Sequence, residues 1–118
     1  MALVKKKRVD HEHILQTQMC KILKEKNIFF FAVPNQAVNG RIHLVKYYEA
    51  EGLLRGVADL IIPLKGYITL YVEVKHENKK QTPAQKEFER KLKELGHHYY
   101  VVNNIEILLD IIKKHTIL

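Results

Sequence analysis

The feature that most constrains this chain is a pair of apolar segments, each carrying one acid, joined by a tight turn. The first is Val57-Ala58-Asp59-Leu60-Ile61-Ile62, stopped by Pro63. The second spans residues 67–75 and contains Leu70-Tyr71-Val72-Glu73-Val74-Lys75. Lys65-Gly66 between them reads as a turn, so the two segments predict a β-hairpin. Strand side chains alternate faces. Leu70, Val72 and Val74 therefore share one face, and Tyr71, Glu73 and Lys75 share the other. Glu73 and Lys75 point the same way, about 7 Å apart along the strand. Asp59 sits on the neighbouring strand among apolar residues and is expected to be at least partly buried. A buried carboxylate is costly unless it is paired, hydrogen-bonded or bound to metal.

Other elements follow from spacing and capping chemistry. Asp10 can cap a first helix, with Val9 and Ile14 placed as a hydrophobic staple. Leu15, Met19, Ile22 and Leu23 recur at helical spacing, and the helix should end near Lys26-Asn27. Residues 28–33 are rich in β-formers and are stopped by Pro34-Asn35, where Asn35 reads as a turn residue. Residues 35–41 read as a loop. Residues 42–51 predict a short helix through Ile42, Val45 and Tyr48, with Gly52 past its end. Thr82-Pro83-Ala84-Gln85 opens another helix with a capping residue, proline at the first position and glutamine at the third. Its inner stripe is Ala84, Phe88, Leu92 and Leu95, and Gly96 ends it. Residues 97–102 predict a last strand. Asn103 or Asn104 then caps a final helix with Ile105, Leu108, Leu109 and Ile112 inward. The order is α-β-(α)-β-β-α-β-α, an α/β fold with a mixed central sheet flanked by helices.

The chain of 118 residues suits one domain, residues 10–118, behind a basic N-terminal arm at 1–9. No apolar run approaches the roughly 20 residues of a membrane-spanning helix. The basic start is followed by Val9-Asp10-His11-Glu12, which is no secretory signal. The single cysteine, Cys20, cannot form an intrachain disulfide, and this fits the cytoplasm or another reducing compartment. It reads as a buried or half-buried core thiol. Lysine and arginine total 20 against 13 acids, a net charge of +7. That balance favours a polyanionic partner, nucleic acid before membrane surface, or serves solubility alone. Lys5, Lys6, Lys7 and Arg8 form either an arm for a phosphate backbone or a solvated tail.

Two carboxylates on adjacent strands can hold a hard cation such as Mg²⁺, which prefers oxygen ligands and keeps several waters. Such an ion polarises a phosphoryl oxygen and activates water, and a neighbouring lysine stabilises developing charge. Asp59, Glu73 and Lys75 are thus the parts needed to hydrolyse a phosphodiester. The same three residues could instead form a cross-strand ion pair. His11 and His13, and the adjoining His97-His98, lack the spacing of a helical zinc pair and read as surface or DNA-facing. Tyr47-Tyr48 and Tyr99-Tyr100 could stack on bases, with one tyrosine of each pair expected in the core.

Gly56-Val57-Ala58-Asp59-Leu60-Ile61-Ile62, then Tyr71-Val72-Glu73-Val74-Lys75, then Thr82-Pro83-Ala84-Gln85 resemble the PD-(D/E)XK nuclease superfamily. More narrowly they resemble the VRR-NUC family, which pairs that core with a glutamine on the following helix. Glu12-His13-Ile14-Leu15-Gln16 is similar to the family's opening segment, and Pro34-Asn35 and Glu51-Gly52-Leu53-Leu54-Arg55-Gly56 to its connecting ones. The likeness runs from about residue 11 to 103. One departure is Ala58, where the family often has proline; that position supplies backbone geometry and no ligand. The resemblance implies a restriction-endonuclease-like fold. It implies that Asp59, Glu73, the Val74 carbonyl and, through water, Glu12 hold Mg²⁺, with Mn²⁺ able to substitute. Lys75 would serve the attacking water and Gln85 would contact the site or the scissile phosphate. Gln16 could line the same site and touch nucleic acid. Glu12 also suits ordinary first-turn placement, and Thr82 and Gln85 also form a capping box with no function required.

The expectation is a metal-dependent endonuclease acting on DNA. A small domain has little surface for base reading, so structure-selective cleavage of branched DNA such as Holliday junctions is favoured. The alternatives are a nicking or restriction-like enzyme, or a nucleic-acid-binding module that does not cut. Two symmetric cuts imply a homodimer. Its candidate surfaces are Ile28-Phe29-Phe30-Phe31, the Tyr47-Tyr48 segment and the final helix. The phenylalanine run shows no alternation, so it reads as an interface or as a central strand covered on both faces.

Overall fold

The computed structural model describes residues 10–34 and 42–116. Lys5, Lys6, Lys7, Arg8, Val9 and Asn35 lie outside the described residues. The elements run α1 (His11–Glu25), β1 (Phe31–Ala32), α2 (Ile42–Ala50), β2 (Leu60–Leu64), β3 (Ile68–Val74), α3 (Pro83–Glu94), β4 (His98–Val102) and α4 (Ile105–His115). The order matches the sequence expectation. Among the described residues the sheet has four strands in the order β1-β2-β3-β4. The first three pair antiparallel, and β3 and β4 pair parallel through α3. A parallel pair needs such a long crossover, whereas β2 and β3 need only a short turn.

Each long helix begins where its polar cap dictates. Asp10 accepts the His13 amide at 3.0 Å. Thr82 and Gln85 form a complete capping box, at 3.2 Å and 2.8 Å. Of the two asparagines, Asn104 is the cap of α4, accepting from Ile107 at 2.8 Å. These caps supply acceptors for amides that the first helical turn leaves unpaired.

The alternation in β3 sorts its residues between two packed layers. Leu70, Val72 and Val74 join Leu60, Ile62 and Val102 under α1 and α4, against Met19, Leu23, Leu108 and Ile112. On the opposite face Ala58, Ile61 and Tyr99 pack with Tyr71, Phe88 and Leu92 of the α3 side. Glu73 and Lys75 share parity with Tyr71, so they belong to this second face.

Several expectations are corrected. Pro63 does not stop β2 but lies within it, opposite Thr69. β1 pairs only with Leu60 and Ile61, so β2 is an edge at Pro63, where a missing N–H is tolerated. Tyr67 is not in the strand. It sits in the turn with φ 63° beside Gly66 at 80°, and its side chain is fully exposed. Leu95 does not extend the α3 stripe; it is the C-cap and is exposed, because the chain turns away there. The phenylalanine run is neither a long strand nor a central one. β1 is the sheet edge, and the run does alternate: Ile28 and Phe30 pack on the core while Phe29 and Phe31 are exposed. Neither Tyr47 nor Tyr48 is buried, whereas Tyr99 is. Ile14 is exposed. Cys20 is half-buried against the core as expected, and burial pushes its thiol pKa up.

Gly56 fixes where α3 starts relative to the site strands. Its φ is 84°, and a Cβ there would lie 2.4 Å from the Ala84 carbonyl carbon and 2.7 Å from the Gln85 nitrogen. Both are backbone atoms that cannot swing aside. Gly66 has a similar φ of 80° with nothing within 4 Å, so it isolates the dihedral cost alone. Gly66→Ala is expected to lose about 1 kcal/mol in denaturant unfolding, and Gly56→Ala about 2–4 kcal/mol because the clash adds to it. Equal losses would show that the approach to α3 is not tight.

Candidate functional site

Asp59 lies immediately before β2. One step beyond the Leu60–Val72 pair, the antiparallel register brings it level with Glu73. Two backbone contacts pin it. The Val33 amide donates to the Asp59 carbonyl at 3.1 Å, and Asp59 Oδ2 accepts the Val74 amide at 2.7 Å. The side chain thus bridges directly to the strand that carries Glu73. Burial raises the Asp59 pKa, with the Val74 hydrogen bond opposing; the Glu12 charge raises it further and Lys75 lowers it.

Glu73 is wholly buried, at 0% exposure, and Lys75 is 5% exposed. The Lys75 amide donates to the Val102 carbonyl at 2.9 Å, which extends the parallel ladder and fixes the backbone at the site. Glu73 Oε1 accepts the Tyr99 hydroxyl. Glu73 Oε2 is buried and has no hydrogen-bond partner among the described residues. Burial raises the Glu73 pKa; the Tyr99 hydrogen bond and Lys75 pull it down, and Asp59 pushes it up. Asp59, Glu73 and Lys75 therefore lie within one another's electrostatic reach, as the hairpin reading expected.

Asp59 and Val74 open onto a cleft of about 330 Å³ that also includes Glu12, His13, Gln16 and Thr17 of α1 and Pro34. Glu12 and Gln16 thus stand one turn apart on the same wall. Lys79 Nζ is 3.3 Å from Glu12 Oε1, an ion pair without hydrogen-bond alignment. A larger hollow of about 450 Å³ lies between α1 and the start of α4, away from these carboxylates. Gln85 does not need the site to be satisfied: its Oε1 is taken by the Thr82 amide. His11 stacks on His76 at 4.4 Å, and His98 lies 4.4 Å from His115, so each engages another ring.

Sequence reasoning missed Gln81 and Lys79 altogether and took Tyr99 only as a core or base-stacking residue. Gln81 Nε2 donates to the Tyr99 hydroxyl at 3.3 Å, so a chain runs Gln81–Tyr99–Glu73. A tyrosine amid the apolar β4 run was the only signal available. Its partner emerges only once β3 and β4 are paired in parallel.

No protein-family model matches the sequence, and no curated protein matches it. Solved structures do match its fold. The chain is α/β, with a mixed four-stranded sheet flanked by helices in the restriction-endonuclease-like manner. A structure described as "VRR_NUC domain protein" is 23% identical, with TM-score 0.74 over 92% of this chain and 90% of that one. A second, described as "VRR_NUC domain", is 20% identical, with TM-score 0.63 over 92% of this chain and 100% of that one. The fold is that of VRR-NUC domains.

The raised Glu73 pKa has a definite sign for stability. The folded chain holds this proton more tightly than the unfolded chain, whose ordinary value is 4.5. The contribution to stability is full below that value and is lost as pH rises through the higher folded value. Glu73→Gln keeps an acceptor for Tyr99 and removes the charge. Without metal, the variant is expected to melt above the wild type at neutral pH, with the gap closing below the ordinary carboxylate range. A variant that melts lower at every pH would contradict a Glu73 whose burial disfavours its ionised form.

Proposed function

We propose that this chain is a metal-dependent nuclease that hydrolyses phosphodiester bonds in DNA, an endodeoxyribonuclease of the VRR-NUC type. The observation that carries the reading is the buried, unpartnered Glu73 Oε2, level with Asp59 and within reach of Lys75. A buried polar atom without a partner calls for an explanation, and an ion is one.

The donor set fits a hard divalent cation. Asp59, Glu73 and the Val74 carbonyl would hold it, with Glu12 contributing through water. Among the described residues no group of three His, Cys, Asp or Glu side chains could hold a metal by itself. Water and the Val74 carbonyl would then have to complete the shell beside the carboxylates, a coordination that Mg²⁺ and Mn²⁺ accept. When bound, such an ion supplies electrophilic assistance at the phosphoryl oxygen and makes water acidic enough to attack.

The chain's own groups do the rest. Lys75, buried beside the two carboxylates, is the group that would orient the attacking water and offset charge developing on the phosphate. Glu12 and Gln16 line the cleft through which a phosphate backbone would approach. Gln85 commits its amide oxygen to the helix cap, and its amide nitrogen is the end that would meet the scissile phosphate. Lys5, Lys6, Lys7 and Arg8 add sequence-independent attraction to the backbone, in keeping with a net charge of +7.

Branched DNA such as a Holliday junction is the favoured substrate, because a domain this small has little surface for reading bases. Two symmetric cuts then call for a homodimer. The exposed Phe31 on the edge strand and Phe29 just before it give apolar surface for one. A nicking or restriction-like enzyme is the neighbouring alternative, and a non-cutting DNA-binding module the more distant one.

Cleavage of branched and linear DNA with Mg²⁺ or Mn²⁺ tests the reading. Asp59→Asn, Glu73→Gln and Lys75→Ala are each expected to lower the rate at least ~100-fold while the protein stays folded. Cleavage that survives complete chelation, or a folded Glu73→Gln protein cutting at the wild-type rate, would overturn the assignment.

A further inference from the structure

We infer that Tyr99 is a positioning residue for the Glu73 carboxylate, holding one oxygen so that the other is presented to a cation. This rests on the metal reading above. The two carboxylate oxygens are treated differently by the protein. Oε1 receives the Tyr99 hydroxyl, whereas Oε2 is equally enclosed and receives no hydrogen bond from the described residues. A carboxyl group that served only the core would be paired at both oxygens, since each unpaired buried acceptor is destabilising.

The tyrosine is itself fixed. It is 4% exposed, and its ring meets Phe88 of α3 nearly edge-on, with centroids 5.9 Å apart. Its hydroxyl accepts from Gln81 Nε2 at 3.3 Å. A phenol has one proton to donate. With Gln81 supplying the incoming hydrogen bond, that proton is committed to Glu73. Tyr99 pairs in register with Tyr71, two residues before Glu73 and on the same face of β3, so the phenol reaches Glu73 diagonally across the parallel ladder. The direction of the Glu73 carboxylate is thus set from β4 and from the segment before α3, not only from its own strand. Partners of this kind, which touch a ligand rather than the metal, fix the ligand's orientation.

The test is Tyr99→Phe, which keeps the ring and removes the hydroxyl. Melting temperature is followed as Mn²⁺ is titrated into the protein without DNA, and cleavage rate is followed over the same Mn²⁺ range. In the variant the half-saturating Mn²⁺ concentration should rise about 10–100-fold in both measurements. The cleavage rate at saturating Mn²⁺ should stay within a few-fold of wild type, since the hydroxyl is engaged by Glu73 and Gln81 and acts through the carboxylate. A purely structural tyrosine would lower the metal-free melting temperature and leave half-saturation where it was, and that result overturns the inference. Gln81→Ala, which leaves the core intact, should shift half-saturation the same way by less; no shift in either variant likewise overturns it. A wild type whose melting does not respond to Mn²⁺ at all removes the metal reading itself, and this inference with it.

Discussion

Holding the Glu73 carboxyl group inside a packed sheet, where burial disfavours its ionised form, is the constraint on which the rest of this structure turns. Removing such a group from water costs several kcal/mol even after relaxation, on the order of what a whole small domain has in hand. The chain counters this locally with the Tyr99 hydroxyl and the Lys75 charge. It leaves one oxygen without a partner. The metal-free fold thus carries a deficit at one point, which a bound cation would remove. Sites that break a local packing rule in this way are where function is to be sought.

The surrounding architecture makes that deficit tolerable. One face of the sheet is closed by α1 and α4 over an aliphatic layer that includes Val72 and Val74, the neighbours of Glu73 on its own strand. The other face is closed by α3, with Phe88 and Leu92 over Tyr71, Tyr99 and Ile61. β3 pairs on both sides, antiparallel to β2 and parallel to β4. Each neighbour brings one group to the site: Asp59 from the segment leading into β2 and Tyr99 from β4. The close approach of Gly56 to the Ala84–Gln85 backbone ties the start of α3 to the segment leading into Asp59. Glu12 arrives from α1, near enough for its charge to raise the Asp59 pKa. A small chain therefore gathers its site from elements distant in sequence by making one central strand the common reference.

What was legible in the sequence was local. The hairpin, the three caps and the sorting of β3 between two faces all follow from chemistry within a few residues, and they alone bring Asp59, Glu73 and Lys75 together. What was not legible depended on pairing. The run from Ile28 to Phe31 looks uniformly apolar, and only its place at the sheet edge turns it into a half-exposed segment. Pro63 reads as a breaker until β1 proves too short to reach it. Leu95 has the right spacing for the α3 stripe but falls on the residue where the helix ends. Tyr99 could not be linked to Glu73 before the parallel register was known, because the crossover through α3 places them 26 residues apart in sequence. Gln85 reads as a capping residue from its spacing and as a site residue from the resemblance, and its amide can serve both, since the cap uses only the oxygen.

The central claim is that Asp59 and Glu73 form a seat for a divalent cation. The most direct test is anomalous diffraction from crystals grown with Mn²⁺. The account predicts a manganese peak at about 2.0–2.3 Å from a carboxylate oxygen of Asp59 and from Glu73 Oε2, with the Tyr99 hydroxyl still on Oε1. Crystals at saturating Mn²⁺ with no peak there, and with Glu73 Oε2 turned to a protein hydrogen-bond partner, would contradict it.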